Sequence, residues 1–415
     1  MKFFRSLILI GILIAIQNNF HAYGFDNLVN IAGTVRNNKN KKTIENVSLS
    51  VPGSNISTVT NAEGEFILKI PASMVNHGIK AEQIGFKSQF LSEDEYKGRE
   101  EITIFLEPTE RVLKEVVVLG GDPKEIVRTA IKKIPENYSD KENMLTGFYR
   151  ETIRKGNRYV SINEGLVDVL KKPYRSNRNT WGDKVSINKG RSLLSQKASD
   201  TLAVKLAGGP YMPIVFDVVK NGDHLFTEDE MGYFEFKMEK GAMIDERLHY
   251  TISFKPIVEL SYPLHKGLLF IDAETMAISR AEFELDMKDK NKVSRSILEK
   301  KPAGLHFKPE EVSGVVTYRF KDGKTYLNYI ESKIKFKCDW KKKLFSTSYT
   351  TEAEMVMVDR DENPEKHIKF KDSFNKRKIF SDIVENYWEE DFWKDYNIIE
   401  PTESLEKAVE KLKKN

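Results

Sequence analysis

Hydrolysis at a zinc ion requires imidazole and carboxylate ligands at short spacing, with one coordination position left open. A histidine followed three residues later by glutamate would supply the local half of such a site. The positions three beyond His77, His224, His249, His265, His306 and His367 hold Lys80, Thr227, Ile252, Leu268, Pro309 and Phe370, so the pattern does not occur. Asp359-Arg360-Asp361-Glu362-Asn363 opens like a calcium-binding loop. Pro364, however, stands where the sharp turn needs glycine, and Phe370 where a bidentate glutamate should close the shell, so a solvated turn is expected. Cys338, the single cysteine, shares its alternation with Phe336 and Trp340 and has no histidine nearby, which predicts a buried, unreactive thiol. Between Trp388 and Trp393, Glu389-Glu390-Asp391 sets carboxylates beside aromatic faces in the manner of a sugar site. Adjacent residues cannot all face one cleft, and the two tryptophans read better as anchors to a sheet. Neither a Gly-x-Ser-x-Gly elbow nor a Gly-Lys-Ser phosphate loop is present. The sequence therefore names no catalytic, cofactor-binding or metal-ligating residue and predicts no cofactor.

The elements that would position any site are mostly strands. Asp122 as N-cap, Pro123 at the first helical position and Glu125 as a capping-box partner open a helix, with Ile126, Val127, Ala130, Ile131 and Ile134 on one face and Pro135 at its end. Beyond Met144, aromatic and apolar residues alternate in long runs: Phe234, Phe236 and Met238, then Tyr250, Ile252 and Phe254. Lys321-Asp322-Gly323-Lys324 predicts a two-residue hairpin turn between the strand of Val316, Tyr318 and Phe320 and the next. Ile334, Phe336, Cys338 and Trp340 face one way there, while Lys333, Lys335 and Lys337 face the other. Such strands must cover an apolar face, and a sheet curving around helical packing does so. Leu405, Ala408, Val409 and Leu412 mark a closing helix after Pro401-Thr402, with Lys411, Lys413 and Lys414 at its end; it is expected to dock on its own domain.

Residues 1–24 have the form of a secretory signal peptide. Lys2 and Arg5 precede the apolar run from Leu7 to Ile16, and Ala22-Tyr23-Gly24 offers a small-x-small exit. Gln17-Asn18-Asn19 cuts that run short of the ~20 residues a membrane span needs. No cysteine lies near the exit, against a lipid-anchored protein. The 66 basic and 62 acidic residues of the 415-residue chain nearly balance, which argues against nucleic acid as a partner. One cysteine also excludes an intramolecular disulfide framework although the expected compartment is oxidising.

From Ile31 to Pro108 short β-formers alternate with turn residues: Val47-Ser48-Leu49-Ser50-Val51, Glu65 to Ile70 and Ile102 to Leu106, broken at Pro52-Gly53 and Asn61-Ala62-Glu63-Gly64 as hairpins would be. Gly33-Thr34-Val35, the strand from Val47 to Gly53, Thr60 to Phe66 and Ile84-Gly85-Phe86 resemble the carboxypeptidase-regulatory-like family, which implies a prealbumin-like, seven-stranded sandwich without peptidase chemistry. The resemblance covers about a fifth of the chain. In that family the module often stands before an outer-membrane receptor in envelope proteins of the Bacteroidetes type. Leu113-Lys114-Glu115-Val116-Val117-Val118 is similar to the segment that follows it in TonB-dependent receptors. No plug and no long series of barrel strands follows here, and the segment reads as a linking strand. His265 to Ile278 resembles a strand pair of half-barrel envelope carriers such as the outer-membrane lipoprotein carrier. With Asp122 to Tyr149 and Phe392-Trp393 through Leu405, it also resembles uncharacterised Bacteroidetes envelope proteins that carry the same first module.

The expected fold is mainly β: a signal peptide over 1–24, a carboxypeptidase-regulatory-like sandwich over 25–109, a linking strand over 110–121, and over 122–415 an α+β domain dominated by a curved antiparallel sheet of half-barrel kind with a few packing helices. The expected function is non-enzymatic. It is that of an exported protein of the periplasm, or of the periplasmic face of the outer membrane, that binds or scaffolds an envelope protein or an apolar ligand. A cavity of about 300 Å³ or more lined by the aromatic faces would favour the ligand. Two alternatives stay open: an envelope hydrolase acting on peptide or glycan through a distributed site, and an accessory to a TonB-dependent transporter acting through Lys114–Val118.

Overall fold

The computed structural model describes residues 27–109, 120–174, 182–200, 202, 204–206, 208–222, 227–341, 346–365, 367–375, 378–389 and 396–413. The signal segment, the Leu113–Val118 strand and the Phe392–Trp393 pair lie outside the described residues. The fold is mainly β, as the alternating patterns require, and no described helix is long and apolar enough to cross a membrane.

The first seven strands are β1 (Leu28–Asn37), β2 (Ser48–Ser50), β3 (Ser57–Val59), β4 (Glu65–Pro71), β5 (Ile79–Glu82), β6 (Gln89–Leu91) and β7 (Glu101–Leu106). They form two sheets, ordered β4-β1-β7 and β3-β2-β5-β6, the seven-stranded sandwich expected from the resemblance. Alternation along β7 buries Ile102, Ile104 and Leu106 against Val35, Leu49, Phe66 and Leu68. Pro52-Gly53 closes the β2–β3 hairpin. Asn61–Gly64 does not close a hairpin, because β3 and β4 belong to different sheets. Asn61 Oδ1 accepts from the backbone of Glu63 and Glu65, each at 2.9 Å, so the turn closes on its own side chain whether or not the flanking strands pair.

Helix α1 (Pro123–Lys132) follows, with Asp122 accepting from the Lys124 amide at 2.9 Å. The expected capping box does not form: the Glu125 carboxylate turns forward to Arg128 and pairs one helical turn on. Helical geometry stops at Lys132, and Pro135 sits inside a separate short turn over Ile134–Asn137.

Next come β8 (Asn143–Lys155), β9 (Arg158–Lys171), β10 (Lys184–Leu194), the short β11 (Lys205–Leu206), β12 (Phe234–Met238), β13 (Ala242–Ile244), β14 (Arg247–Pro256), β15 (His265–Asp272) and β16 (Ile278–Leu285). After helix α2 (Lys290–Ile297) the chain continues through β17 (Leu298–Lys300), β18 (Leu305–Lys321), β19 (Lys324–Trp340) and β20 (Thr347–Asp361), and closes with helix α3 (Glu403–Lys413). Eleven of these strands make one curved antiparallel sheet in the order β10-β9-β8-β20-β19-β18-β16-β15-β14-β12, with β13 on β14. The chain thus lays down three strands, crosses the interior through a segment that carries Ile214, Val218 and Val219, and returns strand by strand from the opposite edge until β20 meets β8. Asp322 and Gly323, with φ of 50° and 80°, make the predicted hairpin between β18 and β19.

One end of the hollow of this sheet is filled. Ile126, Val127, Ala130 and Ile131 of α1 and Ile214, Val218 and Val219 of the crossing segment pack there against Phe234, Ile252, Phe254, Leu269 and Ile330. The outer face carries the sandwich: Val59 packs with Phe148, Leu166, Tyr329, Val356 and Ile398. Ser57 donates to the Met357 carbonyl at 3.0 Å and Thr58 to the Ile398 carbonyl at 2.9 Å. Helix α3 docks on the same outer face, its Leu405 and Val409 buried against Ile162 and Leu193.

Candidate functional site

The other end of the hollow is open. A cavity of about 610 Å³ lies between the inner face of the sheet and a cover built from described residues between Ser195 and Phe216, the end of α2, Tyr262-Pro263 and residues 378–382. Strand register explains why space remains. Asn163, Glu151, Ala353, Ser332 and Gly314 stand in one row across β9, β8, β20, β19 and β18, and all but Glu151 and Asn163 are small. Gly314 is required by close approach, since a Cβ there would meet the Phe283 ring at 2.7 Å. Two residues along each strand, Ser161, Ile153, Thr351, Ile334 and Val312 form the next row and line the cavity with Leu285 and His265. The cover contributes Leu202, Val204, Leu206, Met212 and Phe216, and β11 pairs with β17 to hold it together. Leu194, Tyr262 and Ile379 remain 40, 48 and 40 % exposed at the mouth.

The charged groups of the lining are mostly neutralised. Arg158 reaches Asp200 at 2.6 Å and holds its carboxyl well below the usual range, although burial opposes this. Glu352 meets Arg154 at 2.7 Å and Lys333 at 3.0 Å. Glu151 differs: it accepts from the Tyr149 hydroxyl at 2.8 Å and from Asn163 Nδ2 at 3.0 Å, all neutral donors, and burial pushes its carboxyl upward against those bonds. Ser192 donates to Asn163 Oδ1 at 2.6 Å, which leaves the Asn163 amide nitrogen aimed at Glu151.

The residues singled out in the sequence do not assemble here. The aromatic stripes Phe234, Phe236 and Met238 and Tyr250, Ile252 and Phe254 pack at the filled end, so they do not line the cavity. A stripe that reads as a ligand-binding face is equally a core face, and Ile214, Val218, Val219 and Met231 pack against it. Cys338 is buried beside Phe336 and Tyr349 just behind the cavity wall, its thiol pushed up to about 11 by burial. His249 bonds the Arg247 carbonyl and Ser279, His77 faces the Pro52 carbonyl, and His367 pairs with Glu142. Only His265 among the described histidines lines the cavity. Among the described residues no group of three or more His, Cys, Asp or Glu could hold a metal. Asp359 and Asp361 close β20, and Trp388 is exposed with Glu389 paired to Lys189; Glu390, Asp391 and Trp393 lie outside the described residues. Glu151 went unremarked in the sequence. Its signal is an acid at the inward position of a strand whose neighbours two away are Tyr149 and Ile153.

Residues 31–118 match the family model of the CarboxypepD_reg-like domain. The sandwich is a CarboxypepD_reg-like domain. Behind that domain, 297 residues fall outside the match, the cavity among them. No curated protein matches the chain. Two solved structures similar to it are a DUF1329 family protein from Desulfovibrio piger, 10 % identical over 57 % of this chain and 94 % of that one with a TM-score of 0.23, and MucB in complex with MucA(peri), 8 % identical over 59 % and 100 % with a TM-score of 0.19. Scores this low establish neither a shared fold nor a shared partner. Function is therefore read from the cavity and from the docking of the CarboxypepD_reg-like domain.

Proposed function

We propose that this is an exported, non-catalytic protein of the cell envelope whose curved-sheet domain holds an apolar ligand, with the CarboxypepD_reg-like domain docked on its outer face as a spacer or interaction module. The observation that carries this reading is the 610 Å³ cavity, whose walls are formed by Ile153, Leu206, Leu285, Val312 and Ile334. That size lies within the ~300–1,000 Å³ of small-molecule sites, and its mixture of apolar walls with a few fixed polar groups is their usual composition. The signal-like segment at 1–24 supports export. A binding role rather than catalysis is supported by the lining acids: Asp200 and Glu352 are held in ion pairs.

Titration with an apolar dye that fluoresces out of water tests the reading. The wild-type chain is expected to bind it saturably, and Ser332→Phe, which places a ring in the row of small residues, to weaken it by at least about tenfold. Absence of saturable binding, or full affinity in a folded Ser332→Phe variant, would contradict the proposal.

A further inference from the structure

Glu151 is the one half-buried carboxylate in this cavity whose described partners include no cation. Its oxygens accept from Tyr149, Asn163 and the Gly209 amide. The remaining acids of the lining are spent or wet: Asp200 on Arg158, Glu352 on Arg154 and Lys333, Glu299 at 4.0 Å from Lys205, and Asp382 at the exposed edge. A carboxylate partly withdrawn from water without a counter-charge carries a cost, and that cost falls when a cation arrives beside it. The Asn163 amide, oriented by Ser192, and the Tyr149 hydroxyl fix the carboxylate in place. The apolar row of Ile153, Ile334 and Val312 lies two residues farther along the same strands.

We propose that the cavity is specific for lipophilic amines: the protonated nitrogen pairs with Glu151 and the hydrocarbon body lies against Ile153, Leu206 and Ile334. This rests on the reading of the cavity as a ligand site and adds the chemical class. An alcohol of the same chain would only exchange one neutral hydrogen bond for another. A fatty acid would set a second carboxylate against Glu151, which like-charge repulsion disfavours. Burial raises the Glu151 carboxyl, and an incoming ammonium acts in the opposite direction.

The test compares dodecylamine, dodecanol and dodecanoate as competitors of the apolar dye on the full chain at pH 7. The amine is expected to displace it about tenfold more tightly than the alcohol or better, with the acid weakest, in keeping with a charge-assisted hydrogen bond. Glu151→Gln is expected to bring the amine down to the level of the alcohol. An alcohol that binds as well as the amine in the wild-type chain overturns the amine proposal and leaves the cavity reading standing. An amine advantage that survives in Glu151→Gln places the selectivity elsewhere and also overturns it. Failure of all three chains to displace the dye overturns both.

Discussion

Asp217 sits in the interior of the curved sheet and accepts from Lys171 at 2.8 Å and from the Tyr174 and Tyr318 hydroxyls at 2.7 Å each. Lys171 also forms an ion pair with Asp183 at 2.9 Å, so one ammonium and two carboxylates are buried together. Burial alone would neutralise these groups; Lys171 instead holds the Asp217 carboxyl below the usual range. The crossing segment is tied down at the same point, because the Lys220 amide donates to Asp217 at 3.2 Å and the Val219 amide to Tyr318 at 3.2 Å. Asp217→Asn leaves Lys171 paired with Asp183 but weakens the hydrogen bonds that Asp217 accepts, and is expected to cost about 1.5–3 kcal/mol, read as a shift in the denaturant midpoint. A change below about 1 kcal/mol would show that the residue is solvated in solution. Little of this was legible in the sequence, where Lys171, Asp183 and Asp217 look like ordinary surface charges. Glu151 was hidden for the same reason: an isolated acid carries meaning only once its strand face is known to be inward.

At the scale of elements, legibility followed local chemistry. The Asp322-Gly323 turn, the Asp122 cap, the alternation of β7, β12 and β14 and the amphipathic stripe of α3 all depend on neighbours within a few residues, and all were readable. What failed were inferences that crossed from one element to another. The Asn61–Gly64 turn has hairpin composition and yet passes between sheets. Aromatic stripes of β12 and β14 lining a cavity would have favoured a ligand there, but Ile214, Val218, Val219 and Met231 pack against them and close that end. The cavity forms where the strands carry Ser332 and Ala353, a vacancy of side-chain volume that appears only when register brings distant small residues into one row.

At the scale of the whole molecule, the sandwich and the sheet share a polar seam. Glu82 of the sandwich faces Asp245 of the sheet domain, with Lys80 pairing with both and Arg319 and Arg247 close by. Burial first, and the Asp245 carboxyl second, raise Glu82 to about 7. A carboxyl raised in the folded state makes the folded protein bind more protons than the unfolded chain between the ordinary value of 4.5 and about 7. Stability is therefore expected to fall as pH rises through that window, with a slope of up to about 1.4 kcal/mol per pH unit. Glu82→Gln is expected to flatten it; a slope that persists in the variant would assign the effect to other groups.

The central claim is that the curved sheet is filled at one end and holds ligand at the other. Methyl NMR of the full chain with a nitroxide-labelled hydrocarbon chain tests this most directly, because the label broadens only the methyls close to it. Ile153, Val312 and Ile334 are expected to broaden while Val127, Ile252 and Ile330 at the filled end keep their intensity. Equal broadening of both groups, or none at a saturating concentration of the chain, would contradict it.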